Sequence, residues 1–595
     1  MSFSAHIDDL KYSMNTITGF ADLVENDTFP ELSNDLVDAI LGEAGRFAEE
    51  VLAPLNEAGD KHGAKLENSN VTTAPGWKQA YVDWVAGGWG SLPCEAEFGG
   101  QGLPITMSLA VQELWNTANS AFGIGTLLTQ GAVEAVVAHG ARDLQEKFLH
   151  KMSSGEWMGT MNLTEPQAGS DLAALRAKAE PQGNGTYKIS GTKIYITHGE
   201  HDLTENIIHL VLARLPDAPA GTRGISLFLV PKFLVNDDGS LGARNDVKCI
   251  GVEEKLGIHG SPTCVMAYGE AGGATGWLVG EENRGLNCMF TMMNNARLHV
   301  GMQGVAIAER AFQQARAYAQ ERKQGRRPGV DGMVPIIDHP DVRRMLMTMK
   351  GLTGAARAIC FATARAIDLS KSASDEAERE RNDALAWLLT PVAKAFGTDI
   401  GCEVSSLGIQ VHGGMGFIEE TGAAQHFRDA RITPIYEGTN GIQAIDLATR
   451  KLPMKGGEVV QAYIAELKQT AEAVLGSNDP SFGQMGYRLS EAVEDLEAAT
   501  EWMLEIQQDD ADQALASATP YLRLFGLAAG GAYLARGALA ASQAANGGGS
   551  DADAARVALA RYVAENHLPE TKGLNSIVRG GAQAVLGATP ELIAL

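Results

Sequence analysis

Glu437 is followed at once by Gly438, Thr439, Asn440 and Gly441. Glycines beside a carboxylate let a ligand lie close against the chain, where the carboxylate can take or give a proton. A second polar cluster is MNLTEPQAGSDL, residues 161–172, which sets the hydroxyls of Thr164 and Ser170 around Pro166 and Gly169. Loops of that composition present hydroxyls and backbone N–H groups to a polar ligand, a phosphate included. Each cluster also has a plain structural reading. T-E-P and G-S-D occur in many capping turns, and a lone loop glutamate is more often solvated than catalytic. His198-Gly199-Glu200-His201 lacks the helical H-E-x-x-H spacing that aims two imidazoles at one ion, so no metal site is expected.

The elements that must position these residues fall into zones. Residues 1–34 read as an N-terminal extension. From 35 to 158 the pattern is helical, with Val37, Ile40, Ala44, Phe47 and Val51 at steps of three and four behind a Ser33-Asn34 cap. Between 159 and 285 lie segments such as YKISGTKIYIT, NIIHLVLARL and GISLFLVPKF. Their alternation, β-branched content and turn residues predict a small antiparallel barrel or sandwich. Helical periodicity returns over 286–455. Residues 456–595 form an alanine-rich helical extension whose stripe Val459, Tyr463, Leu467, Ala471 and Val474-Leu475 must be buried against something. A flexible break is predicted at AANGGGSDADA, residues 544–554. The fold class is mainly α with a central β domain.

The 595 residues carry 48 basic and 73 acidic side chains, a net charge of -25. Such a surface repels phosphate backbones and argues against a nucleic-acid partner. Six scattered cysteines suggest neither a zinc site nor a disulfide framework and fit a reducing, cytoplasmic setting. The first residues lack the basic and apolar regions of a secretory signal. The most apolar stretch, 521–542, contains Arg523 and Arg536 and reads as a buried helix pair or kinked helix, with no stable membrane insertion.

Taken together, the motifs resemble the acyl-CoA dehydrogenase family from about Asp35 to Arg450. T-E-P-x-A-G-S-D, the KIYIT strand (193–197), E-R-K (321–323), Q-V-H-G-G-M-G (410–416) and Y-E-G-T (436–439) fall in that family's order and spacing. The N-terminal segment, the long tail and ITHGEHDLTENIIHLVLARL resemble its extended branch, which includes enzymes acting on 3-methylmercaptopropionyl-CoA. The resemblance implies a helical domain, a β domain and a helical bundle, with FAD between the last two. It makes Glu437 the base that removes the α-proton of an acyl-CoA, while the β-hydrogen passes as hydride to the flavin. The backbone N–H of Glu437 and a ribityl hydroxyl would polarise the thioester carbonyl.

By the same resemblance Thr164 and Thr197 bond the flavin ring, with Met161, Leu163 and Tyr195 beside it. Gly169 and Ser170 approach the pyrophosphate or the thioester arm. Arg322 and Gln410, Val411, His412, Gly413 and Gly414 hold the FAD of a neighbouring subunit, and Thr439 that of its own. Arg297 and Gly438 join Ser170 and Glu437 at the substrate. A homodimer or higher homo-oligomer and electron-transferring flavoprotein as electron acceptor are implied too. The substrate implied by the branch is 3-(methylthio)propanoyl-CoA, with short- or medium-chain fatty acyl-CoA as the alternative. An acyl-CoA oxidase and a non-catalytic flavoprotein assembly subunit are the rival functions. Three positions depart from the family pattern: Met161 and Gly325 stand where aromatics are usual, and Ala296 stands where some members carry the base. Glu437 is thereby the one candidate for that role.

Overall fold

The computed structural model describes residues 3–26, 28–546 and 550–594. They form two compact units, residues 43–299 and residues 3–42 with the described residues from 300 to 594. The glycines of the predicted break, 547–549, lie outside the described residues.

Helix Asn34–Phe47 begins where Ser33 Oγ accepts the Leu36 N–H at 3.2 Å, which is the cap the sequence predicts. Val37, Ala44 and Phe47 are buried on it, whereas Ile40 and Val51 are only half-buried. A short hairpin that the periodicity does not reveal pairs Lys65–Glu67 with Asn70–Thr72. Asn68 and Ser69 turn it with φ of 49° and 62°, both left-handed as a two-residue hairpin turn requires. Helix Ile105–His139 is almost wholly buried, polar side chains such as Gln112, Glu113 and Asn116 included. It breaks locally at Asn119 (φ −157°, ψ 89°), whose Oδ1 accepts the Phe122 N–H at 3.1 Å and restarts the helix.

The β domain is one eight-stranded sheet plus a separate hairpin of Phe233–Val235 with Leu241–Arg244. The main sheet runs Val247–Val252, Thr263–Tyr268, Tyr187–Thr197, Ala274–Val279, Ser226–Pro231, Asn206–Ala213 and Trp157–Asn162, with Lys178–Pro181 beside Tyr187–Thr197. The purely antiparallel expectation needs correcting, because Trp157–Asn162 pairs parallel with Asn206–Ala213. The predicted alternation is absent from two strands. Asn206–Ala213 and Ser226–Pro231 are buried at every position, as strands covered on both faces are.

In the other unit the core is built from helices Pro340–Ser372 and Glu376–His412 and the part of Gly285–Glu321 that follows residue 300. A Cβ placed on Gly304 would sit 2.3 Å from the Gly397 carbonyl oxygen, so these two helices cross backbone to backbone. The N-terminal segment is tied to this bundle by the Asp9–Lys350 ion pair, next to the buried pair Glu309–Arg357 at 2.9 Å.

The tail packs on the same bundle. Tyr463, Leu467, Ala471 and Val474 are buried as the stripe predicts, but Val460 replaces Val459 in it and Leu475 faces outward. Residues 521–542 lie within one helix, Ala511–Asn546, rather than in a helix pair. That helix and Ile105–His139 are long and apolar enough to cross a membrane, yet both are largely buried against protein.

Candidate active site

In the 43–299 unit the T-E-P loop is fastened to strand Tyr187–Thr197. The Ile194 N–H donates to the Thr164 carbonyl at 2.9 Å. Lys193, with no exposed surface, donates to the Leu163 carbonyl at 3.0 Å and to Glu165 Oε1 at 2.8 Å. Glu165 also accepts from the backbone N–H groups of Arg176 (2.8 Å) and Ala177 (3.0 Å) and from Gln167 Nε2 (2.6 Å). One buried carboxylate thus ties both ends of the loop to the sheet. Leu163, Thr164, Tyr195 and Thr197 are brought onto adjoining backbone, while Gly169 and Ser170 stand exposed at the tip.

Tyr195 is 60% exposed and has φ +60° inside a strand, where the pairing with Thr263–Tyr268 shifts register. A bulge of this kind re-aims a side chain. A Cβ at Gly169 would meet nothing within 4 Å. An open loop tip, two half-exposed hydroxyls and an outward aromatic ring are a donor set suited to a flavin and its phosphates. Met161 is half-buried and Arg297 buried.

Burial raises the Glu165 carboxyl, but the Lys193 charge and the hydrogen bonds outweigh it and hold the group below the usual carboxylate range. Burial pushes the Lys193 ammonium down to about 8 against the pull of Glu165. Glu165→Gln removes the counter-charge and leaves a buried ammonium alone, a change worth about 3 kcal/mol. We expect a lower Tm and weaker FAD retention on gel filtration at neutral pH. The stability deficit should shrink as pH rises, because neutral Lys193 needs no counter-charge. A Tm equal to wild type at neutral pH would contradict this role.

The other unit carries Glu437. The chain turns after helix Ala423–Ala430, with the Ile435 and Tyr436 N–H groups donating to the Ile432 carbonyl at 2.9 and 3.2 Å. Glu437 then adopts φ +56° and Gly438 φ +84°. The left-handed conformation costs an L-residue roughly 1–2 kcal/mol, so the surroundings must impose it. Thr439 Oγ1 caps helix Asn440–Asp446 by accepting the Ile442 N–H at 3.3 Å. Asn440 donates to Asp399 Oδ1 at 2.7 Å and accepts from the fully buried Lys394 at 2.8 Å, which pins the helix start to Glu376–His412. Tyr436 Oη donates to Gln303 Oε1, and Gln443 Nε2 donates to the carbonyls of Glu437 at 3.2 Å and Gly438 at 3.1 Å. Burial, then the Glu437 charge, pushes the Tyr436 phenol far up, so it stays a neutral donor. Glu437, Gly438 and Thr439 are each half-buried.

The end of the helix that precedes Arg322 meets the 410–414 stretch in this unit. Tyr318, one turn before Arg322, stacks on His412 with ring centroids 4.5 Å apart. His412 and Val411 turn inward and are buried, whereas Arg322, Gln410, Gly413 and Gly414 are exposed. Met415, Ile418 and above all Phe417 (85% exposed) continue that outward face.

Sequence reasoning missed Lys193, Gln303, Asn440 and Gln443 as supports. Lys193 carried a signal: it shares strand parity with buried Ile189, where a charge must have a partner. The His198 and His201 rings lie with centroids 5.4 Å apart and both are buried. Glu200 is taken by Lys232 and by Arg244 at 3.2 Å, and among the described residues no group of three or more potential ligands could hold a metal. Burial pushes His198 down to about 3, so it stays neutral.

Comparison with known proteins points to one family. Residues 35–156, 160–271 and 283–452 match the N-terminal, middle and C-terminal domains of acyl-CoA dehydrogenase, and residues 463–589 match a domain described as acetyl-CoA dehydrogenase C-terminal like. The 3-methylmercaptopropionyl-CoA dehydrogenase of Ruegeria pomeroyi is 46% identical over 99% of this chain and 100% of its own. A butyryl-CoA dehydrogenase of Syntrophomonas wolfei is 34% identical over 98% of each chain. The crystal structure of an acyl-CoA dehydrogenase complexed with FAD from Bacillus anthracis superposes with a TM-score of 0.74 at 21% identity, covering 98% of this chain and 94% of that one. With its domains matched in order and a relative this similar along the whole chain, the protein belongs to the acyl-CoA dehydrogenase family.

Proposed function

We propose that the protein oxidises 3-(methylthio)propanoyl-CoA to its α,β-unsaturated thioester, with Glu437 as the base and FAD as the hydride acceptor. The observation that carries the substrate is the 46% identity to the Ruegeria pomeroyi enzyme across 99% of the chain. What supports Glu437 is its fixed left-handed backbone beside Gly438, braced by buried side chains on both flanks.

The chain's own part in the reaction follows from these groups. The Glu437 N–H would donate to the thioester oxygen as negative charge develops there, an effect of roughly 3–4 kcal/mol per donor. The Glu437 carboxylate would take the α-proton. Thr164 and Thr197, with Leu163, Met161 and Tyr195 around them, would hold the flavin ring, and Gly169 and Ser170 the pyrophosphate or thioester arm. Bound FAD supplies the redox chemistry by accepting the β-hydrogen as hydride. Arg297 and Gly438 would complete the substrate contacts. Electron-transferring flavoprotein would reoxidise the enzyme, and the scattered spacing of the six cysteines supports a cytoplasmic setting.

Anaerobic titration of the yellow protein with a panel of acyl-CoAs tests the reading. 3-(Methylthio)propanoyl-CoA should bleach the flavin fastest. Faster bleaching by butanoyl-CoA would instead assign fatty acyl-CoA oxidation, the reading favoured by the Syntrophomonas wolfei relative. Rapid peroxide release in air would make the protein an oxidase, and no bleaching by any acyl-CoA would leave a non-catalytic subunit.

A homo-oligomer is also proposed, in which Arg322, Gln410, Gly413 and Gly414 reach the neighbour's FAD. What supports it is their exposure beside the outward-facing Phe417, and guanidinium on pyrophosphate is a charge-assisted contact. Arg322→Ala should release FAD on a desalting column; unchanged retention would remove the cross-subunit role.

A further inference from the structure

We propose that Gln443 is the positioning residue for the base: its side-chain amide binds the Glu437 and Gly438 carbonyls together and so aims the Glu437 carboxylate. The inference rests on the reading of Glu437 as the base.

The direction of the Glu437 Cα–Cβ bond is set by the two peptide planes that meet at its Cα. The plane before it is steadied by Tyr436, whose hydroxyl is bonded to the buried Gln303. The plane after it contains the Glu437 carbonyl, which Gln443 holds at 3.2 Å. The next carbonyl, of Gly438, receives the same amide nitrogen at 3.1 Å. Successive left-handed residues at φ +56° and +84° aim both oxygens at one point, and the two hydrogens of one primary amide meet them.

Gln443 has no exposed surface. A buried amide nitrogen is costly unless it is bonded, and both bonds of this one go to the two carbonyls while Oε1 accepts none; a methionine would fill the same volume without polar atoms. Its own position is firm, because its N–H donates to the Thr439 carbonyl at 3.0 Å in a helix that Asn440 pins to its neighbour. Without the amide, the restraint that holds both carbonyls of this left-handed turn together is lost, the preference of an L-residue for negative φ is less strongly opposed, and the aim of the Glu437 side chain shifts.

Gln443→Met tests this in the FAD-loaded enzyme. A misplacement of this order lowers kcat about 10–100-fold with KM little changed. The rate of flavin reduction, normalised to bound FAD, should fall alike, and α-deuterated substrate should slow it more than in wild type. A residue that only fills the core would lower the yield of folded enzyme while leaving the per-flavin rate and isotope effect alone. Gln443→Asn keeps an amide but withdraws it by one methylene, and should show the same pattern if the methionine variant does not load FAD. Wild-type per-flavin rates in whichever variant binds FAD would overturn the proposal, and so would failure of both to bind it, since Gln443 would then be a folding residue. Glu437→Gln in parallel separates the two readings. If that variant turns over normally, the base assignment falls and takes this inference with it. If it is inactive while Gln443→Met is normal, only the role of Gln443 is lost.

Discussion

Glu437→Gln should keep its FAD and its fold but lose turnover by a factor of about 10²–10⁴ or more. At 1.36 kcal/mol per decade the lower and upper bounds correspond to about 3 and 5.5 kcal/mol of transition-state stabilisation. The substitution replaces one carboxylate oxygen with NH2 and preserves volume. The supports of the site bind groups that remain: Gln443 grips backbone carbonyls and Thr439 caps the next helix. The left-handed turn should therefore survive, together with the backbone N–H that polarises the thioester. Only the proton acceptor is gone. Acyl-CoA should still bind, so its perturbation of the oxidised flavin spectrum should persist while anaerobic reduction becomes slow. Ala296, where some family members carry the base, offers no substitute. Near wild-type kcat in this variant would refute the assignment.

The candidate base was legible because chemistry-bearing residues cluster along the chain: Glu437-Gly438-Thr439 is continuous, and so is the T-E-P loop. Their supports were not, for a physical reason. Gln443 matters through two carbonyl oxygens whose directions depend on positive φ at Glu437, a conformation that glutamate does not favour and its residue type does not announce. Gln303 lies more than a hundred positions from Tyr436, and only the helix packing brings them together. Lys193 lies between these cases, since its inward strand parity could have been read. The helix and strand zones followed from periodicity, but the parallel partner of Trp157–Asn162 did not. Pairing direction is decided by how the chain crosses the sheet, and the segment's own residues are compatible with either. Val411 and His412 show the same limit on a smaller scale: the motif places them beside the exposed glycines, while the helix turns both inward.

Removing the tail should do more damage than any single substitution outside the site. A chain ended at Lys455 loses helix Ala511–Asn546, which lies in the core of the bundle rather than on its rim. A Cβ at Gly526 would stand 2.3 Å from the Phe396 ring, and one at Gly530 would stand 2.7 Å from Ala355 Cβ. Val563 of helix Asp551–Asn566 lies against Gly351 in the same way. Polar ties accompany this contact: Arg523 pairs with Glu403 at 3.0 Å, and Gln507 donates to the Thr449 carbonyl at 3.0 Å, just past the turn that carries Glu437. Truncation would open the apolar faces of helices Pro340–Ser372 and Glu376–His412 to water. Each large side chain so exposed forfeits about 1.5–3 kcal/mol, and half a dozen of them together match the roughly 5–15 kcal/mol by which domains are normally stable. We expect the truncated protein to be insoluble or to aggregate without FAD. A point variant reaches the same contact without deletion. Gly526→Val must push Phe396 aside, and overpacking of this kind costs about 1–3 kcal/mol, so its Tm should fall by several degrees while the flavin reduction rate of the folded fraction stays at wild type. A truncated chain that remained soluble and bleached with acyl-CoA at the full rate would show instead that the bundle stands alone and that the tail serves another purpose.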